Sequence, residues 1–405
     1  MSTDALRRAP ALDRLPRGPR AIGVLGIALG ALAFWLGVPP VSTRTVLWPL
    51  LVGLLAILAG LWAFTRGERR VGAGAAVVGV VGIGLGTLAT HSSVDHLDTV
   101  VVWGALFASM FRFATPLTFA AIGGMFSERS GVVNIGLEGM MLTGAFFGIL
   151  GADKTGSWAL GILAAAAAGG LLALIHAFFS IQLRADQIVS GTAINFLALG
   201  ITGYFYIDIY GENGTPGDVP GIPDVTIPGL KNVTFIGPAI GSLNLMIWAG
   251  FAVILLSYLV MFKTPIGLRI RAVGEHPRAA DTVGISVYAT RYAAVALSGV
   301  LSALGGAYLS IGFVNSFGEN MTAGRGFIGL AALIFGNWRP FGAFGAALLF
   351  GFSSALAQRL GSVPSWGSYA VLFQALPYVL TLIAVAGVIG RSIPPAAVGR
   401  PYVKQ

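Results

Sequence analysis

The sequence predicts an all-α protein, a polytopic bundle of transmembrane helices, and three observations predict it. Of 405 residues, 56% are hydrophobic and only 10% charged, where soluble globular chains carry about 25% charge. The mean hydropathy is +0.82. The apolar residues gather into runs near the roughly 20 residues that a helix needs to cross a bilayer core, and short basic loops separate them.

About twelve runs qualify as candidate spans, some of them short, broken or re-entrant. Ahead of the first, MSTDALRRAPALDRLPRGPR carries five arginines against two aspartates. No small-residue cleavage site closes a short apolar core, so this stretch is read as an uncleaved cytoplasmic tail rather than a signal peptide. Residues 21–38, 45–64 and 71–90 are the first three candidates. The third reads VGAGAAVVGVVGIGLG and has no ionisable residue from Val71 to Thr90. Small residues four apart let helices approach closely, so residues 1–98 are read as an accessory packing region. The stretch HLDTVVVWGALF then lies partly in the membrane interface, and 106–126 follows with Arg112 and Pro116, a proline that suits a kinked or discontinuous helix. The remaining candidates are 133–150, 157–181, 188–206, 243–262, 291–311, 322–336, 341–358 and 367–388, which makes 99–390 the core and 391–405 a basic tail.

Loop charge sets the orientation. The tail to Arg20 is net +3, TRGERR after Phe64 is net +2 and the loop from Lys263 to Arg291 is net +3, so all three are assigned to the cytoplasm. Counting crossings places HSSVDHLD and the acidic loop from Ile207 to Gly241 outside and returns the C-terminus inside. IGLEGMMLTG (135–144) also resembles IGLAALIFGN (328–337). Parity runs these two segments in opposite directions, as inverted repeats in transporters run.

Few polar residues interrupt the spans. Glu138 follows Asn134 by one helical turn, so both share a face, and a charge at mid-membrane costs about 2.5 to 3.5 kcal/mol unless it faces protein or water. Two readings stand open. Glu138 lines or braces a translocation path, or it holds the start of a broken helix through backbone N–H groups while Glu128 and Arg129 pair at an interface. Gln187 and Asn195, eight residues apart, lie on one face and suit interhelical hydrogen bonds or ligand contact.

The loop KTPIGLRIRAVGEHPRAADTVGISVYATR carries helix punctuation. After Gly274 and Glu275, Pro277 suits a first turn, RAADTV continues it and Gly284 ends it. A helix of about two turns near 277–283 is unstable alone in water, so it has to rest against something. Other chemistries lack their signatures: the chain has no cysteine, no G-x-x-x-x-G-K-[ST] loop, no H-E-x-x-H and no G-x-S-x-G elbow. The net charge of +9 is dispersed over loops, with no basic stripe for nucleic acid. No catalytic residue, metal site or cofactor is expected on this chain.

ERSGVVNIGLEGMML, followed by GLRIRAVGEHPRAADTVGI, resembles the permease subunits of bacterial ABC importers in the branched-chain amino acid and simple-sugar permease superfamily. The nearest likeness is to the nucleoside-type branch, since SGVVNIGLEG stands where sugar permeases tend to show a GGIDLSVG-like stretch. The resemblance spans roughly Val100 to Gly390. It implies a multi-pass protein of the bacterial plasma membrane that carries nucleosides or related purine compounds, with simple sugars or branched-chain amino acids as the alternative. It also implies separate ABC ATPase subunits that hydrolyse ATP, a second, paralogous permease subunit and an external substrate-binding lipoprotein. The segment with Arg271, Gly274, Glu275, Pro277, Arg278, Ala279, Ala280, Asp281 and Gly284 looks like the coupling helix that docks on the ATPase, and Asn134, Glu138, Gln187 and Asn195 are the candidates for the substrate path. A stand-alone secondary transporter would need a buried titratable relay, and a membrane enzyme a cluster of His, Asp or Glu at one surface; the sequence favours neither.

Overall fold

The computed structural model describes residues 18–37, 43, 45–90, 102–233, 236–362, 375 and 392–404. Nine helices among these are long and apolar enough to cross a membrane. By packing, the chain divides into two compact units, Met1–Val102 with Leu356–Arg391, and Trp103–Ala355 with Ser392–Gln405.

In the first unit, α1 (Pro19–Leu36), α2 (Leu47–Thr65) and α3 (Arg69–Thr90) pack on one another. Their buried positions are almost all glycine and alanine, including Gly23, Gly26, Gly30 and Ala33 of α1, while Leu54, Leu58 and Leu61 of α2 point outward. That inversion is what lipid requires, because the solvent is as apolar as leucine and only close backbone approach gains anything. Gly82 sits on the Gly30 carbonyl and Gly72 on that of Gly60.

The second unit begins with α4 (Trp103–Arg129), α5 (Leu137–Thr155), α6 (Trp158–Ala177) and α7 (Gln187–Tyr210). Between α7 and the next long helix lie the short α8 (Ile236–Ile240) and a two-stranded antiparallel ribbon in which Val225 of β1 (Asp224–Thr226) pairs with Leu243 of β2 (Ser242–Asn244). Then come α9 (Leu245–Lys263), α10 (Pro265–Glu275), α11 (Pro277–Thr282), α12 (Val287–Ala307), α13 (Arg325–Phe335) and α14 (Pro340–Gly361). π-Helical turns prolong α6 to Gln182 and α12 to Val314. α12 is the buried centre, packed on α4, α5 and α6.

Four expectations about the elements and their repeat change. Pro116 breaks nothing: α4 runs unbroken through it, since neighbouring groups can satisfy what a proline frees. The candidate span 322–336 is an 11-residue helix, roughly 16 Å long at 1.5 Å per residue and so only half a crossing. The two IGL segments are out of register, because Ile135 precedes α5 by two residues whereas Ile328 lies inside α13; three apolar residues recur too easily to fix an alignment. Their directions do oppose. α13 runs alongside α4, with Gly329 on Ala120 and Gly124 against Leu333, whereas α4 is antiparallel to α12 and α5 parallel to it. The fourth concerns Pro265–Glu275, read from sequence as loop: it is α10, opened by Thr264, whose hydroxyl accepts from the Gly267 N–H at 3.3 Å. HSSVDHLD and the candidate span 367–388 lie outside the described residues, apart from Ala375.

Candidate functional site

Polar side chains of the second unit converge where α4 gives way to α5. Seven residues, Ser130 to Gly136, run there without helix, and irregular backbone at membrane depth needs internal partners because hydrocarbon offers none. Three other helices provide them. Gln187, opening α7, accepts the Val133 N–H through Oε1 at 2.7 Å. His176 of α6 reaches the Val133 carbonyl through Nε2 and the Ser190 hydroxyl through Nδ1, both at 3.0 Å; a carbonyl only accepts, so these partners assign the proton to Nε2. Asn195 donates to the Ile135 carbonyl at 3.1 Å and accepts the Gly139 N–H at 2.8 Å, capping one of the orphan donors of α5 from outside that helix. Asn134, expected to share a helix face with Glu138, lies instead in this non-helical stretch three residues before α5, and donates to the Ser298 hydroxyl of α12 at 2.9 Å. Arg291 of α12, 1% exposed, donates through Nε to the Ser130 carbonyl at 3.1 Å.

Glu138 stands in the first turn of α5, yet its carboxylate serves a different helix. Oε1 accepts the Thr322 hydroxyl at 2.5 Å and the Gly324 N–H at 2.8 Å, and Oε2 accepts the Gly326 N–H at 2.6 Å. These donors lead into α13. A side chain on Gly326 would overlap the backbone of Glu138, so two helix N-termini meet with one carboxylate between their positive ends. Both starts lie level with the middle of α4: Gly329 packs on Leu117 and Gly305 on the Pro116 carbonyl, while Gly306 rests on Met141. The approach to α13 is conformationally costly, with Asn315, Asn320 and Ala323 at φ 56°, 52° and 45°, a region that non-glycine residues seldom occupy.

All four residues singled out for a path therefore meet at one junction. His176, Arg291, Ser298 and Thr322 join them unforeseen. His176 was visible as a lone imidazole in an apolar run, but Arg291 counted only as loop charge. Glu128 and Arg129 do not pair with each other as expected. The Glu128 carboxylate accepts the Trp338 indole N–H at 2.6 Å, and Arg129 donates from Nε and Nη2 to the Trp338 carbonyl at 3.1 and 3.0 Å. Trp338 is held there by a turn in which it and Asn337 both adopt positive φ.

At the other end of α9 from the β-ribbon lies the α10–α11 hairpin. Pro277 starts α11 and Gly284, at φ 84°, ends it, with the Gly284 N–H returned to the Asp281 carbonyl at 2.9 Å. The helix rests on its own chain. Ala280, expected on a partner-facing surface, is 3% exposed and packs with Val273, Val287 and Tyr402; a six-residue helix has one inward face, and Ala280 is on it. Gly274 is buried against the Arg129 carbonyl. Glu275 accepts the Ala396 N–H at 3.1 Å and lies 3.9 Å from Arg129, and the Arg271 guanidinium covers the Phe262 ring at 5.2 Å. Arg278, Ala279, Thr282 and Val283 face outward, Val283 at 74% exposure.

Residues 106–385 match the family model described as branched-chain amino acid transport system / permease component. The chain belongs to that family. Among curated relatives, this permease is 44% identical over 316 residues, covering 76% of the chain and 99% of the relative, to the guanosine ABC transporter permease protein NupQ of Bacillus subtilis. It is 43% identical to the nucleoside ABC transporter permease protein NupC of Lactococcus lactis, over 73% of the chain and 96% of the relative. A putative glucose ABC transporter permease protein of Haloferax volcanii, TsgC13, is 35% identical over 62% and 76%. No solved structure matches this permease.

Proposed function

We propose that this permease forms the membrane pathway of an ATP-driven importer for nucleosides or related purine compounds. The observation that carries the reading is the likeness to two relatives named for guanosine and nucleoside transport, which runs nearly the full length of each at 44% and 43% identity. In this reading ATP is hydrolysed by separate ABC ATPase subunits, a paralogous permease completes the pathway, an external lipoprotein delivers the substrate, and the three helices of the first unit are accessory. The likeness to a putative glucose permease is weaker and shorter, and makes sugar the competing reading. Uptake of labelled guanosine by cells expressing the complete importer is expected to be competed by purine nucleosides and not by glucose or leucine. Competition by glucose alone would move the substrate to the sugar class.

In the same reading both termini and the α10–α11 hairpin are cytoplasmic, which the basic excess of those segments supports. The chain has no cysteine, so single introduced thiols can be labelled without background. An impermeant maleimide applied to intact cells is expected to label Gly217→Cys and to leave Arg278→Cys unlabelled; the opposite pattern inverts the topology.

The hairpin's outward residues are the ATPase contact in this reading, which separates two neighbouring alanines. Ala279→Asp puts a carboxylate on the exposed face and is expected to weaken receptor-stimulated ATP hydrolysis while leaving this permease folded. Ala280→Asp buries an unpaired charge, a cost of several kcal/mol, and is expected to lower the amount of folded protein itself. Equal behaviour of the two in both assays would detach the exposed face from coupling.

A further inference from the structure

The C-terminal segment 392–404 is tied down along its length. Its Ile393 N–H donates to Asn337 Oδ1 at 3.0 Å, its Ala396 N–H to Glu275 at 3.1 Å and its Ala397 N–H to the Gly274 carbonyl at 2.9 Å. Further on, the Gly399 N–H donates to the Gly131 carbonyl at 3.2 Å, and the Arg400 carbonyl accepts from Arg291 at 3.1 Å. Tyr402 is buried, its ring set edge-on to Tyr288 at 5.6 Å beside Val273, Ala280 and Val287. Between this strap and the α10–α11 junction is a cleft of about 510 Å³, lined on one side by Glu275 to Ala279 and on the other by Ala396, Ala397 and Arg400 to Val403.

The charges around the cleft are unequal. Arg278, Arg400 and Lys404 are exposed. Two acids stand against them: Glu275, half-exposed, takes the Ala396 N–H at 3.1 Å and lies 3.9 Å from Arg129, and Asp281 stands beside Tyr402. The balance is a concave surface with an excess of basic residues, and it continues the outward face of α11. Complementarity of that kind selects an acidic partner segment and speeds its arrival.

We infer that the ATPase docks on a composite surface, with α11 as one half and the C-terminal strap as the other, and inserts an acidic segment into the cleft between them. This rests on the proposed coupling role of α11 and adds the second half of the interface and its charge. The strap also gives the contact a route inward. Arg291 binds the strap at Arg400 and the broken segment at Ser130, and Gly399 binds Gly131 next to it. A push on the cleft therefore bears directly on the backbone that leads to Glu138.

The test uses the assembled importer, co-expressed with its ATPase, and a photo-cross-linking amino acid placed at three exposed positions. These are Val283 on α11, Val403 on the strap and Val225 in the β-ribbon, which are 74%, 47% and 37% exposed. Cross-links to the ATPase are expected from Val283 and Val403 and not from Val225. Arg278→Glu with Arg400→Glu is expected to weaken recovery of the ATPase by about tenfold and to flatten its loss with rising salt, as removal of rim charges does. A cross-link from Val283 alone would overturn the composite surface and leave the importer reading intact. Cross-links from neither would remove both. A cross-link from Val403 to another permease subunit instead would make the strap a permease contact and overturn the inference, as would a charge-reversed double variant that binds the ATPase with unchanged salt dependence.

Discussion

Glu138→Ala is expected to abolish uptake and to lower the thermal stability of the purified importer by the largest amount of any single polar substitution at the junction. The carboxylate accepts three hydrogen bonds from the segment entering α13, at 2.5, 2.8 and 2.6 Å. Truncation leaves the Gly324 and Gly326 N–H groups unpaired, and each such loss costs about 1–3 kcal/mol where no water replaces the partner. It also removes the negative charge from between two positive helix ends, worth up to about 2 kcal/mol in a buried geometry. Glu138→Gln separates these contributions. Its carbonyl oxygen can replace one carboxylate oxygen, but its amide then points a donor at the Gly326 N–H, so one bond of the three becomes a donor facing a donor. Partial uptake is expected, between wild type and alanine. Glu138→Asp keeps the charge on a side chain one methylene shorter and is expected to retain stability better than Gln while still impairing uptake. Wild-type uptake and melting in the alanine variant would mean that the junction carries no load.

That junction was only half legible in the sequence. A carboxylate four residues after an asparagine in an apolar run reads two ways, as part of a path or as the brace of a broken helix, and the spacing does not choose between them. The carboxylate's partners, Thr322 to Gly326, lie more than 180 residues away in the chain, and no local signal connects an acid to a hydroxyl and two backbone donors at that separation. The spans themselves were readable because length and apolarity dominate in a bilayer. The bounds of α11 were readable because Pro277 and Gly284 act through φ alone. α10 escaped, although Thr264 and Pro265 announce it, because its charged residues looked like a loop obeying the positive-inside bias. Arg291 escaped for the same reason: a basic residue at a span boundary reads as an orienting charge, and only the fold turns it inward to bind Ser130 and Arg400. The strap was read as a basic tail, since its anchoring is almost all backbone and leaves no trace in side-chain pattern.

Gly306→Val is expected to prevent accumulation of folded permease altogether. A Cβ at Gly306 would fall on the Met141 carbonyl oxygen, and one at Gly144, across the same crossing, would meet the backbone of Ala303. These are backbone contacts, so no rotamer change relieves them and α5 has to move away from α12. Forcing extra methyl groups into a packed core typically costs about 1–3 kcal/mol where side chains can adjust, and here they cannot. Helix association in a membrane has no hydrophobic reserve to draw on, because lipid is as good a solvent for the exposed face as the neighbouring helix. Gly200→Val on α7 is the control, since beyond its own turn of helix nothing lies within 4 Å of its Cβ position, and it is expected to accumulate at wild-type levels. Gly306→Ala, with one carbon in the same place, is expected to accumulate poorly and to melt well below wild type. Gly306→Val protein that reaches the membrane in wild-type amount with an unchanged melting temperature would contradict the crossing. The same displacement carries a functional consequence: Met141 lies three residues after Glu138 on α5, so any separation at Gly306 draws the carboxylate away from α13 before the helix pair has come fully apart.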